Sequence, residues 1–154
     1  MNQETVETIE EAREELKRAE HLLFVTLKYT RTNEVMKNYL TRLINTYEKG
    51  FEALLIDALE KQKINQIPVA KLIRTNILSE VYFSKELDSY INFYKTMRVI
   101  HNADSEKREE YRKNVAILTP VTEEILIETN VDDLYVFFMR THEFIEFVFK
   151  LVKE

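Results

Sequence analysis

The sequence predicts an all-α fold, an up-and-down bundle of four or five helices with a small β-hairpin before the last helix. Two observations lead to this prediction. The chain of 154 residues contains one glycine and two prolines, and its apolar residues recur every three or four positions over long stretches. Since glycine and proline are the usual turn formers, their scarcity favours long helices. The length, with 45% hydrophobic and 32% charged residues, fits one globular domain over residues 1–154.

The first two helices are predicted from their apolar stripes. The first runs from about Thr5 to Tyr29. Thr8 with Glu11 matches a capping box, whereas Val6 suggests that the helix begins a turn earlier. The second runs from Glu34 to about Lys63 after a short polar break, which predicts antiparallel pairing with the first. Gly50 lies on the second stripe. Because a glycine inside a helix costs about 1 kcal/mol relative to alanine, we expect another helix to approach closely there.

Three further helical segments are predicted between the second helix and the hairpin. Pro68 is expected to open a third helix that ends near Val81, since proline suits the first turn of a helix. Ser84 is expected to cap a fourth helix that carries an apolar stripe as far as His101. A short charged helix is expected over residues 106–114.

The last part of the chain changes from strand patterns to a helix. Residues 115–129 contain two β-rich runs around a Thr-Pro-Val-Thr turn, which predicts the hairpin. Asn130 is expected to cap the last helix. This helix has two apolar faces, so either it is central or its second face packs on another subunit. From the second alternative we predict a homodimer whose interface includes Phe138, His142, Ile145 and Phe149.

Composition excludes several classes of function. There is no cysteine, so neither a disulfide framework nor thiol chemistry is possible. The single glycine rules out a glycine-rich phosphate loop. The three histidines lie in no His-Glu-x-x-His motif, and the residues three positions before them are Arg18, Arg98 and Met139, so no Glu-x-x-His pair is present. We therefore predict no metal and no cofactor.

Location is predicted from what the segments lack. The N-terminal residues are acidic where a secretory signal would be basic, and no stretch approaches the roughly 20 apolar residues that cross a bilayer. The expectation is a cytoplasmic protein without a membrane partner. Abundant Lys and Glu with no Cys also favour a thermophilic source.

The strongest candidate site lies in the basic segment 95–113, although the net charge of the chain is −5. Arg98 and His101 are three residues apart and share a helix face. Arginine forks bind phosphate oxygens, and histidine can move a proton near neutral pH. These two residues are the catalytic candidates, and the predicted anion-binding residues are Arg98, Arg108, Arg112 and Lys113. The alternative is that Arg98 pairs with a carboxylate and His101 caps its helix.

The layout of the chain resembles the HEPN domains. The resemblance rests on two long antiparallel helices, a helix that ends in an Arg-rich turn and an aromatic-rich last helix, with local similarity at residues 47–55 and 93–98. It implies a dimer that cuts or binds RNA or binds nucleotides. The family's catalytic Arg is separated from a His by four to six residues. Arg98 and His101 depart from that spacing, and the hairpin over 115–129 is an addition.

Three functions follow as hypotheses. The first is a non-catalytic bundle that acts by binding itself, RNA or a protein partner. The second is a HEPN-like ribonuclease or RNA-binding protein that uses the 95–113 segment. The third is a bundle that binds a small molecule between its helices.

Overall fold

The computed structural model describes residues 1–102, 106–108, 116–120 and 126–154 of the chain. The described part is a helical bundle with a small antiparallel sheet before the last helix, which confirms the predicted fold class. The helices are α1 (Gln3–His21), a π-helical turn (Leu22–Thr26), α2 (Leu27–Tyr29), α3 (Asn33–Glu60), α4 (Lys71–Tyr82), α5 (Lys85–Asn102) and α6 (Val131–Lys153). The strands are β1 (Glu106–Arg108), β2 (Ala116–Pro120) and β3 (Leu126–Asn130).

The first helix starts earlier than its predicted capping box. The side chain of Asn2 caps α1, since its Oδ1 accepts a hydrogen bond from the Thr5 amide at 2.7 Å. Thr8 lies inside the helix, where its hydroxyl donates to the Glu4 carbonyl at 2.8 Å. The predicted cap at Thr8 was therefore wrong, because Asn2, six residues earlier, meets the amides of the first turn.

Side chains also cap α3, α5 and α6. Thr32 Oγ1 accepts a hydrogen bond from a backbone amide in the first turn of α3, and Ser84 Oγ accepts one from the Leu87 amide at 3.1 Å. At the start of α6, Asn130 Oδ1 accepts from the Asp133 amide, and Asp133 Oδ2 accepts from the Asn130 amide, each at 2.9 Å. The predicted caps at Ser84 and Asn130 are thus confirmed.

The connection between α3 and α4 is longer than predicted. Helix α3 ends at Glu60, and α4 begins at Lys71 rather than at Pro68. Pro68 lies before the helix, where its carbonyl accepts a hydrogen bond from Arg74 Nε at 2.6 Å. The proline precedes the helix and does not open it.

The helices run up and down. Glu11 on α1 pairs with Lys49 on α3 at 2.7 Å, and Glu15 on α1 pairs with Arg42 on α3 at 3.2 Å. The residue numbers of the partners on α3 thus decrease as those on α1 increase. This order shows that α1 and α3 are antiparallel, as predicted. Helices α3 and α6 run parallel instead, since Tyr39 contacts Leu134 and Tyr47 contacts Thr141.

An aromatic cluster joins α3, α5 and α6 at Gly50. A Cβ at position 50 would lie 2.5 Å from Cε2 of Phe144. The Phe144 ring stacks on Tyr47 with 4.3 Å between ring centroids, and it lies 5.3 Å from Phe51 and 5.2 Å from Tyr90. The predicted close approach at Gly50 is confirmed, and the approaching helix is α6.

The sheet corrects the prediction of a charged helix over 106–114. Residues 106–108 form strand β1, which pairs antiparallel with β2, and β2 pairs antiparallel with β3. Residues 109–114 lie outside the described residues. The predicted hairpin is present as β2 and β3, but Thr119 and Pro120 belong to β2 rather than to a turn. The sheet is joined to the bundle by Asn33, whose Nδ2 donates to the Ala116 carbonyl at 2.8 Å.

Candidate functional site

A groove between α3, α4 and α5 brings Arg98 and His101 together with polar side chains of the neighbouring helices. Two cavities in this groove meet at Arg98 and Asn102. The polar cavity, of about 320 Å³, is lined by Thr41, Ile44, Asn45, Glu48, Lys71, Arg98, His101 and Asn102. The aliphatic cavity, of about 530 Å³, is lined by Leu72, Asn76, Lys95, Arg98, Val99 and Asn102. Both volumes fall in the range of small-ligand sites.

Helix α5 positions Arg98 through the buried Tyr94, one turn earlier on the same face. Arg98 Nη1 donates to the Tyr94 hydroxyl at 2.8 Å, and that hydroxyl donates to Glu48 Oε2 at 2.7 Å. The guanidinium carbon also lies 5.6 Å from the centroid of the Tyr94 ring. Tyr94 is fully buried, whereas 31% of the Arg98 side chain is exposed. The chain of contacts fixes the guanidinium and leaves part of it open to the groove.

The phenol of Tyr94 is held in its neutral form. Burial, followed by its hydrogen bond to the Glu48 carboxylate, raises the pKa of Tyr94 to about 12, although the Arg98 guanidinium opposes the shift. A neutral phenol donates one hydrogen bond and accepts others. Tyr94 can therefore join Arg98 to Glu48, whose Oε2 lies 3.8 Å from Arg98 Nη1. Arg98 thus lies near a carboxylate, as the alternative interpretation of the sequence predicted, and part of its guanidinium still faces the groove.

His101 lines the polar cavity, but both of its ring nitrogens have partners. Nε2 lies 2.8 Å from Thr41 Oγ1, and Nδ1 lies 3.0 Å from Asn102 Oδ1. The Thr41 hydroxyl also lies within hydrogen-bond distance, 3.1 Å, of the Lys37 carbonyl. The histidine is thereby joined to α3 and to the end of its own helix. The two catalytic candidates share one cavity, with His101 engaged in structural contacts.

Two lysines add positive charge to the groove. Lys71 is the first residue of α4 and lines the polar cavity, while Lys95 lines the aliphatic cavity. Neither lysine forms an ion pair with an acidic side chain in the described part of the chain. The N-terminus of α4 has no side-chain cap, and the partial positive charge of a helix N-terminus adds to that of Lys71. Among the described residues, the two cavities are thus lined by three cationic side chains, Arg98, Lys71 and Lys95, and by one carboxylate, that of Glu48.

Of the other three predicted anion-binding residues, the structure describes Arg108 alone. Arg108 lies in strand β1, where its Cα is opposite that of Ala116. Its predicted helical pairing with Arg112 was wrong, because residues 106–108 pair with β2. Arg112 and Lys113 lie outside the described residues.

The four predicted interface residues do not form one exposed face. Phe138 is 9% exposed and Ile145 is 1% exposed, and Phe24 contacts Phe138 with 5.7 Å between ring centroids. Phe149 is half-buried and His142 is exposed. Contacts within the chain thus cover Phe138 and Ile145, which agrees with the alternative that the last helix is central. Neither side chain is available to a second subunit in this structure.

An exposed apolar patch does remain at the N-terminal half of α6. Phe24 from the π-helical turn lies 5.1 Å from Tyr135, ring centroid to ring centroid. Phe24, Tyr135 and Met139 are 42%, 50% and 51% exposed. We call these three residues the Tyr135 patch. The patch lies next to the predicted interface, because Phe24 of the patch contacts Phe138 of that interface.

Sequence reasoning missed the residues that α3 and α4 bring to the groove. Glu48 lies between Tyr47 and Lys49 on α3, and its sequence neighbours give no signal of a partner on α5. Lys71 precedes an ordinary helical stretch. These residues meet Arg98 only through the packing of three helices, which a periodic pattern does not specify.

Comparisons with known proteins give no match from which a function could be inferred. No family model, no curated protein and no solved structure matches the chain. The resemblance to the HEPN domains accordingly stays a prediction. Among the described side chains, no group of three or more His, Asp or Glu residues is placed to hold a metal ion, and no described helix combines the length and apolar character of a membrane span.

Proposed function

We propose that the chain is a non-catalytic binding protein whose polar cavity takes a phosphate group of RNA or of a nucleotide. The observation that carries the proposal is the guanidinium of Arg98. It lies where the two cavities meet, it is held by Tyr94, and it keeps part of its surface in the groove. A fixed guanidinium suits phosphate because its planar donors match two phosphate oxygens. Lys71 and Lys95 supply further positive charge.

Binding without cleavage fits the contacts of His101. A general acid or base must bring a ring nitrogen within hydrogen-bond distance of the reacting proton. Here Nε2 contacts Thr41 and Nδ1 contacts Asn102. Proton transfer to a ligand would therefore require one of these contacts to break. A role in shaping the cavity requires no such change.

The number of contacts with phosphate groups is expected to be small. The chain has a net charge of −5, and the described cations of the groove are Lys71, Lys95 and Arg98. Each phosphate contact on a single strand contributes about −0.7 to the slope of log affinity against log salt. We therefore expect a slope of roughly −2 for three such contacts, well below that of a protein that wraps nucleic acid.

The test is the affinity for a labelled single-stranded RNA, measured by fluorescence anisotropy from low to moderate salt. Arg98→Ala should weaken binding by about tenfold or more, the loss expected for one hydrogen bond to a charged group. Arg140→Ala is the matched control, because its guanidinium also stacks on rings, those of Tyr90 and Phe93, outside the groove. It removes the same charge and should change the affinity by no more than about twofold, a typical rim-charge effect.

Competition separates the possible sources of the phosphate. Inorganic phosphate, a mononucleotide and unlabelled RNA are each added to the labelled complex. Displacement by the mononucleotide as effectively as by RNA would identify a nucleotide site. Equal losses in Arg98→Ala and Arg140→Ala would refute a specific site at Arg98, and so would the absence of binding by all three ligands at low salt.

A second candidate is a HEPN-like ribonuclease, favoured by the presence of Arg98 and His101 in one cavity. The same RNA is incubated with the protein and its length is followed on a gel. The binding proposal expects intact RNA. Cleavage that is lost in His101→Ala, with folding intact by circular dichroism, would replace the binding proposal with the catalytic one.

A small molecule is the third candidate, because the aliphatic cavity has side chains such as Leu72 and Val99 beside Arg98. This arrangement suits a compact anion with an apolar part. A thermal-shift screen of anionic metabolites tests it, since a ligand that binds the native state raises the melting temperature further as its concentration increases. A shift that Arg98→Ala abolishes would support this candidate.

We also propose that the protein forms a homodimer through the Tyr135 patch. Exposed aromatic and methionine side chains are enriched at protein interfaces, and Phe24 and Tyr135 of this patch contact each other. Sedimentation velocity at micromolar concentration should show a dimer, and Met139→Glu should dissociate it. A monomer at that concentration would contradict the proposal. Val99→Glu, which places the same charge at an exposed valine on α5, is the control.

A further inference from the structure

A carboxylate lies inside the proposed anion site. Glu48 lines the polar cavity together with Arg98, and 21% of its side chain is exposed. Its Oε2 accepts the hydrogen bond from Tyr94 at 2.7 Å. Its other oxygen, Oε1, accepts no hydrogen bond from any residue in the described part of the chain. Glu48 thus lines the cavity beside a fixed guanidinium, and one of its carboxylate oxygens has no donor among the described residues.

This arrangement is costly for a ligand that is only an anion. A phosphate bound to Arg98 would meet the like charge of Glu48, whose Oε2 is 3.8 Å from Arg98 Nη1. A neutral glutamine would also accept the Tyr94 hydroxyl, so the positioning of Arg98 does not by itself require a charge. A ligand that donates a hydrogen bond to Oε1 would convert the repulsion into a charge-assisted contact.

We propose that Glu48 is a specificity residue that selects phosphate ligands carrying a neighbouring ribose hydroxyl, and so selects RNA over DNA. The inference rests on the proposed function, because it assumes that Arg98 binds the phosphate. The 2′-hydroxyl of a ribonucleotide is both a donor and an acceptor, and it is the group that distinguishes RNA from DNA. Arg98 binds the phosphate, while Glu48 Oε1 accepts a hydrogen bond from the 2′-hydroxyl.

The test compares oligouridine with oligodeoxyuridine of the same length, which differ at the 2′ position alone. The wild-type protein should bind the ribo form about tenfold more tightly, as expected for one charge-assisted hydrogen bond. Glu48→Gln keeps an acceptor for Tyr94 and removes the negative charge. The deoxy form should bind several-fold more tightly to this variant than to the wild type. The preference for the ribo form should fall to about twofold, the value expected for a hydrogen bond to a neutral acceptor.

Glu52→Gln is the matched control. Glu52 lies one turn after Glu48 on α3 and pairs with Lys49 at 3.4 Å, outside the polar cavity. Its substitution removes the same charge, so it should change the affinities for both oligomers equally and leave their ratio unaltered. A role of Glu48 in folding alone would not change the ratio either.

The outcomes separate this inference from the proposed function. Equal binding of the two oligomers by wild type would overturn the role of Glu48 and leave phosphate binding intact. A ribo preference that Glu48→Gln leaves unchanged would also overturn it. Failure of both oligomers to bind wild type would refute the proposed function itself. The wild-type comparison needs no variant, so the inference can be rejected even if Glu48→Gln does not fold.

Discussion

Replacing Gly50 by alanine tests the contact that sets the distance between α3 and α6. A Cβ at this position would lie 2.5 Å and 2.8 Å from two atoms of the Phe144 ring. The ring is packed against Tyr47, Phe51 and Tyr90, so it has little room to move. Overpacking of this kind costs about 1–3 kcal/mol, while alanine gains about 1 kcal/mol in helix propensity. We expect a net loss of about 0–2 kcal/mol.

Urea denaturation of four proteins measures this effect. The proteins are the wild type, Gly50→Ala, Phe144→Leu and the double variant. Phe144→Leu alone should cost on the order of 1 kcal/mol through lost packing. In the double variant the smaller side chain makes room for the added methyl group, so the two costs should not add. Stabilisation by Gly50→Ala, or additive effects in the double variant, would refute the assigned contact.

Three further predictions concern the stability of the fold. Asn130→Ala removes the cap of α6 and should lower the free energy of unfolding by about 1 kcal/mol, measured in urea; no change would show that the capping box is dispensable. Burial raises the pKa of Tyr82 and Tyr94 to about 12, against about 10 in an unfolded chain. The neutral phenols are favoured by the fold, so their contribution is fully present below about pH 10 and is lost as the pH rises through about 12. Circular dichroism should show unfolding in that window together with tyrosinate absorbance, and tyrosinate formation in a folded protein would contradict the assignment. Lys61→Met removes the partner of the buried Asp57, 2.8 Å away, and should cost about 2–3 kcal/mol; adding Asp57→Asn should restore part of this loss in thermal denaturation.

The helices were predictable because their signals are local. Apolar residues at helical spacing and the cap at Ser84 or Asn130 depend on neighbours within four positions. The segment 106–108 was not predictable in this way. Glu106, Lys107 and Arg108 carry no alternation of apolar and polar residues, and their strand conformation comes from pairing with β2. A partner eight to twelve residues further along the chain decided the structure of that segment.

The candidate site was predictable only on one of its helices. Arg98 and His101 share a face of α5 and line one cavity, as their spacing suggested. Glu48 and Thr41 come from α3, more than forty residues earlier. Their contacts depend on the position of α3 along the axis of α5. The packing of Tyr94 and the aromatic cluster sets this position, and no sequence motif specifies it. Phe138 was predicted to face a second subunit, but the ring of Phe24 on the π-helical turn covers it, a contact that the sequence pattern does not specify.

The link between Asn33 and the Ala116 carbonyl has a consequence for the order of folding. The two residues are 83 positions apart, whereas α1 and α3 are neighbours along the chain and can associate after closing a short loop. Contacts that close long loops form late as a rule. We expect Asn33→Ala to speed unfolding in a chevron experiment and to leave the refolding rate nearly unchanged, the behaviour of a contact that forms after the transition state. The sheet would then join a helical core that has already assembled.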